Sequence, residues 1–127
     1  MGLMGRRVAV RPMGPLAEDI DYVRDRIVRA YRPERIILFG SAATGSARED
    51  SDLDLLIIKR TKKPYFQRIK EVNHAIHIWR STDIFVLTPD ELERGISQNR
   101  FFLTREILAK GKVIYDRAAV RRRTRVA

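Results

Sequence analysis

The chain has 127 residues, a length that supports one domain with one modest core, and its 44% apolar content is ample to fill that core. It contains no cysteine, which excludes a disulfide framework, a thiol nucleophile and a Cys-ligated zinc site. The net charge is +10, yet Arg6, Arg7 and Arg11 before Pro12 and Arg117, Arg121, Arg122, Arg123 and Arg125 after Asp116 leave residues 12–116 at only +2. The excess sits at the two ends, either as solvated termini or as contacts to RNA phosphates or an acidic partner.

Residues 1–14 hold three Met, three Gly, one Pro and three Arg without any period, so a loose basic arm is expected there. Its Arg6 stands where a myristoylation signal needs Ser or Thr, and no apolar run anywhere reaches membrane-spanning length, so the expected protein is soluble and cytoplasmic. From Pro15, Leu16, Ile20, Val23, Ile27 and Tyr31 fall on one helical stripe, with Glu18 and Asp19 in the first turn where the helix dipole favours them. Arg32-Pro33 ends this helix. The run Ile36-Ile37-Leu38-Phe39 predicts a strand over 35–39 buried on both faces.

Residues 42–51 are small or polar, with Gly45 suited to a positive φ and Ala42-Ala43 to the start of a short helix. A second strand spans 53–58, followed by the basic loop of Lys59, Arg60, Lys62 and Lys63. A helix from Tyr65 to Trp79 would turn Phe66, Ile69, Val72, Ala75, Ile76 and Trp79 to the core. Thr82–Leu87 reads as a third strand, Thr88 as the N-cap of a short helix opening at Pro89, and Ser97–Lys110 as a further helix closed by Gly111. A strand at 112–115 precedes the basic tail, residues 117–127. A single domain over 15–116 follows, with no internal repeat and no linker.

The chemistry concentrates around one loop. Gly40 and Ser41 close the first strand and lie ten residues before Asp52-Leu53-Asp54 at the head of the second. Asp52 and Asp54 are two apart on a strand, so they share a face and can hold one divalent cation between them. Gly40-Ser41 offers backbone N–H groups and a hydroxyl suited to a phosphate oxygen. Metal and phosphate together point to nucleotide chemistry.

On these residues the chain resembles the nucleotidyltransferase superfamily typified by DNA polymerase beta, and in particular its small stand-alone members, the minimal nucleotidyltransferases. The resemblance implies an α/β fold, a small mixed β-sheet with helices packed on one side. It implies Asp52, Asp54 and Asp83 as catalytic and metal-binding acids for Mg²⁺, two ions in the usual scheme, with Mn²⁺ as the alternative. Gly40 and Ser41 would bind the phosphates of ATP or another nucleoside triphosphate, and Arg48 would assist from within the loop. Relatives often carry an Arg where this chain has Thr44. The activity implied is transfer of a nucleotide, AMP from ATP, to a separate macromolecule, with a HEPN-type toxin as the partner of an antitoxin of this kind.

Other readings of the same residues stay open. The chain could be a non-catalytic antitoxin or binding module acting by stoichiometric contact, or it could transfer nucleotides to RNA ends through its basic tails. Asp83 follows Ser81-Thr82 and could be a turn acid, as Glu49 and Asp50 are expected to be; Arg48 could be a solvated loop residue. His74 and His77 are three apart but lack a third ligand nearby, which favours a surface or packed pair over a metal site. Trp79 and Phe101-Phe102 suit the core or a partner surface better than a base-stacking role. The oligomeric state is not fixed by the sequence.

Overall fold

The computed structural model describes residues 16–126, and the stripe read from the sequence is the buried face of its first helix. Helix α1 (Ala17–Tyr31) turns Ile20, Val23, Ile27 and Tyr31 inward, with Leu16 buried at its start. Arg32 ends it in the left-handed conformation, its N–H on the Val28 carbonyl, because the following proline disfavours another helical residue. The expected arm, residues 1–14, lies outside the described residues.

Strand β1 (Arg35–Phe39), helix α2 (Ser41–Thr44), strand β2 (Leu53–Ile58), helix α3 (Tyr65–Ala75), strand β3 (Thr82–Leu87) and helix α4 (Pro89–Ser97) follow in order. A π-helix (Phe102–Leu108), strand β4 (Lys112–Asp116) and helix α5 (Arg117–Val126) complete the chain. The sheet order is β3-β2-β1-β4, with β2 and β3 parallel and the other pairs antiparallel, so the expected mixed sheet is present. The two central strands carry the apolar runs, and Ile36–Phe39 and Leu55–Ile58 are wholly buried.

Alternation divides the core into two layers. Ile36, Leu38, Leu53, Leu55, Ile57 and Val86 pack with the buried residues of α1 and with Val72 of α3 on one face. Those two helices form the one-sided layer expected. The opposite face is covered as well: Ile37, Phe39, Leu56 and Ile58 meet Leu92 of α4 and Leu103 and Ile107 of the π-helix.

Three segments differ from the sequence reading. Helix α3 stops at Ala75, and Ile76 and Ile78 then pack on the core while His77 and Trp79 stay exposed, a period of two that fits extended chain. Trp79 is 84% exposed and Phe66 is 76% exposed, so neither is a core residue. The expected helix over Ser97–Lys110 is broken at Asn99, whose φ is +49°, and resumes as the π-helix, with the Ala109 N–H on the Thr104 carbonyl five residues back. The segment expected as a basic tail is instead helical from Arg117, where Asp116 Oδ1 accepts from the N–H groups of Ala118 and Ala119 and Ala119 is buried. No helix among the described residues is long and apolar enough to cross a membrane.

The second face is fastened by Arg68 on α3. Its Nη1 donates to Glu91 Oε1 at 2.7 Å and its Nη2 to Glu91 Oε2 at 3.2 Å, while its Nε donates to the Lys63 carbonyl at 2.8 Å. Glu91 also completes the capping box with Thr88 that starts α4. The hydrogen bonds from Arg68 hold the Glu91 carboxyl below its ordinary pKa. Replacing Arg68 by Ala should lower the unfolding free energy by about 3 kcal/mol in urea titrations at neutral pH. A depressed carboxyl stabilises only while ionised, so the deficit should shrink as the pH falls below the ordinary value of 4.5.

Candidate active site

The strand register decides where the acids meet. Parallel pairing of β2 and β3 sets Asp54 directly beside Asp83, and antiparallel pairing with β1 sets Phe39 on the other side of Asp54. All three belong to the second face, with Leu56 and Phe85 one step further along the strands. Burial first, then hydrogen bonding with Asp83 and the Asp83 charge, and last the charge of Asp52 push the Asp54 carboxyl up to about 6. Asp52 itself is exposed just ahead of β2 and adds the smallest of these effects.

An all-oxygen donor set of this kind suits a hard divalent cation such as Mg²⁺ or Mn²⁺, and a carboxyl whose ionisation is opposed by burial and by neighbouring acids is what a cation would relieve. Among the described residues no three His, Cys, Asp or Glu side chains converge as a finished ligand set. The centre is therefore the Asp54–Asp83 pair, with Asp52 alongside.

Gly40 is fitted sterically to Asp54. Its backbone sits at φ +72° and ψ −156°, a region open essentially to glycine alone, and a Cβ there would overlap Asp54 Oδ2. Ser41 is the first residue of α2, and the Gly40 carbonyl accepts from the N–H groups of Ala43 and Thr44 at 3.0 and 3.2 Å. The Thr44 hydroxyl also reaches the Gly40 carbonyl, at 3.4 Å, and lies 3.2 Å from Ser46 Oγ. It turns inward on the loop and brings no positive charge. Gly45 takes φ +84°, as expected.

The loop from Ser46 to Asp52 is held by a residue that the sequence does not advertise. Arg80, whose side chain is only 7% exposed, donates from Nε to Asp19 Oδ2 at 2.7 Å and from Nη1 to the carbonyls of Ser51, at 2.9 Å, and Glu49. Trp79 covers its guanidinium, 5.0 Å from ring to charge. Arg80 thus ties α1 to the loop that delivers Asp52. An Arg between a helix and a strand reads in sequence as solvated, and nothing in its spacing names Asp19 as a partner.

Arg48 is in the same loop, its N–H on Ser51 Oγ at 2.8 Å, and its side chain is exposed without a hydrogen bond or ion pair among the described residues. Glu49 and Asp50 are exposed, and so are His74 and His77. In the basic loop, Lys59 donates to the carbonyls of Tyr31 and Arg32 at the end of α1, and Lys63 pairs with Glu71.

Because Asp54 titrates higher in the folded protein than its ordinary value of 3.8, the fold holds an extra proton between about pH 4 and pH 6 and loses stability as the pH rises through that window. A shift of about two units would be about 3 kcal/mol in a sealed site, and solvent screening in this part-open one leaves about 1 kcal/mol. Thermal unfolding without divalent cations should show Asp54→Asn more stable than wild type by that amount at pH 7 and equal to it near pH 4. Mg²⁺ added at pH 7 should stabilise wild type and not the variant. Gly40→Ala should cost about 2–3 kcal/mol in the same assay, and less in an Asp54→Ala background where the overlap is gone.

Comparison with known proteins bears on the fold and the family. No curated protein shows significant sequence similarity to the chain. A solved structure of a candidate nucleotidyltransferase from Sulfolobus solfataricus superposes with a TM-score of 0.56 at 18% identity, covering 82% of this chain and 88% of that one, which is a likeness of fold. The family model described as polymerase beta, nucleotidyltransferase, matches residues 24–119, from the middle of α1 through β4 and with every acid of the site inside it. The chain belongs to the polymerase beta nucleotidyltransferase family.

Proposed function

We propose that this domain is a metal-dependent nucleotidyltransferase that moves a nucleoside monophosphate, AMP from ATP, onto a separate macromolecular acceptor, and that the acceptor is a HEPN-type protein. The observation that supports it most is the placement of Asp54 beside Asp83 across the β2–β3 ladder and against Gly40, in a chain of nucleotidyltransferase family. Held by Asp52, Asp54 and Asp83, Mg²⁺ would supply neutralisation of the triphosphate charge and acidification of the acceptor hydroxyl.

The chain's own groups do the rest. Above the Asp54 pKa of about 6 its carboxyl is ionised, which is the state able to take a cation and to accept the proton of the attacking hydroxyl. Gly40 and Ser41 hold the β- and γ-phosphates so that the acceptor oxygen attacks the α-phosphorus in line. The new phosphoester bond forms as the bond to pyrophosphate breaks. Arg48, exposed in the loop, provides a cation for the departing phosphates, a contact that Thr44 cannot make.

Incubation of wild type with Mg²⁺, cell extract and each of the four α-phosphate-labelled nucleoside triphosphates should label one protein band. With Asp52→Ala/Asp54→Ala the rate should fall by a factor on the order of 10³. Equal labelling by the double variant would end the enzymatic reading. Absence of label from wild type, together with neutralisation of a toxic partner by both proteins, would replace it by stoichiometric binding.

A further inference from the structure

The sheet face that carries Asp54 and Asp83 continues past them. Phe85 stands two residues beyond Asp83 on the same strand and face, roughly 7 Å further on at the usual rise of a strand. Its ring lies 5.9 Å from that of Phe39 and 6.0 Å from that of Phe102, at the start of the π-helix. Beyond these rings lies a cavity of about 450 Å³ between the sheet, α4 and the π-helix. Leu56 and Leu87 form part of its floor, and Arg94, Gln98 and Arg100 are among its walls.

We propose that this cavity receives the base of the nucleoside triphosphate whose phosphates meet the carboxylates, an inference that rests on the nucleotidyltransferase function proposed above. The volume is that of a small-molecule site, and the lining combines an apolar floor with a few polar groups. The step from Asp83 to Phe85 is about the reach of a ribose, so a phosphate beside the acids places the base at the aromatic rings. Phe85 and Phe102 are 38% and 50% exposed, leaving ring faces on which a planar base can stack. Gln98, whose Oε1 accepts from Arg100 Nε at 3.1 Å, offers its amide N–H groups to a base edge, and Arg94 offers donors. The two arginines favour an electron-rich ring over the basic side chain of a peptide. Glu91, which also lines the cavity, is occupied by Arg68 and the Thr88 N–H.

The test compares binding of ATP, GTP, CTP, UTP and the base-free tripolyphosphate, each with Mg²⁺, to wild type and to Phe102→Ala. A 2-aminopurine riboside triphosphate, whose fluorescence is quenched by stacking, serves as a spectroscopic probe. Wild type should bind at least one nucleoside triphosphate more tightly than tripolyphosphate. Phe102→Ala should weaken that nucleotide about tenfold or more, lose the quenching, and bind tripolyphosphate as wild type does. Equal affinity of wild type for tripolyphosphate and all four nucleotides would overturn the base site and leave the transferase reading standing. Nucleotide affinity unchanged in Phe102→Ala would overturn it too, including the case where only transfer to the acceptor slows, which would assign the cavity to the acceptor. Equal losses for nucleotide and tripolyphosphate would likewise overturn it, as a general disturbance of the site. Failure of wild type to bind any of the five would remove the transferase reading and the base site together.

Discussion

Two carboxyl groups forced side by side by the parallel pairing of β2 and β3 set the terms for the rest of this structure. The β2–β3 ladder allows Asp54 no other neighbour on that side than Asp83, and burial in the second face denies it the water that would make ionisation easy. A sheet is a rigid way to impose such a conflict, because moving one acid away would break the ladder that pairs the buried run of β2 with β3. Gly40 tightens the arrangement, since the absence of a side chain there is what lets the Asp54 carboxyl occupy its place.

Two buried arginines convert that local conflict into a stable architecture. Arg68 connects α3, the carbonyl of Val86 in β3 and the capping box of α4, so the layer over the second face is anchored to the layer over the first. Arg80 connects α1 to the loop before Asp52. Both act through bonds to carboxylates and backbone carbonyls at once, a task for which the guanidinium fork is better shaped than an ammonium. Their partners lie on separate elements, so each also fixes the spacing between a helix and the sheet.

The covering of the second face links fold to chemistry. With helices on the α1–α3 side alone, the acids would stand on an open sheet surface. Helix α4 and the π-helix instead wall in the ground next to them, and Phe39, Phe85 and Phe102 form the boundary between acids and cavity. The break at Asn99 and the wider π-helical turn are what bring Phe102 onto that boundary while Leu103 and Ile107 stay buried.

The sequence by itself determined the strands, the stripe of α1, the Thr88 cap and the grouping of Gly40, Ser41, Asp52 and Asp54, because each is a matter of local periodicity or of spacing across one loop. Those signals act between near neighbours in the chain and survive without knowledge of the fold. Tertiary structure decided what depends on distant partners. The pairing of Asp54 with Asp83 needs the β2–β3 register, and the roles of Arg68 and Arg80 need Glu91 and Asp19, 23 and 61 residues away. The end of α3 at Ala75, the exposure of Phe66 and Trp79, the π-helix and the helical course after Asp116 were likewise settled by packing. In each, the fit of side chains against a second element outweighed the local pattern, a competition that propensity within a single segment cannot express.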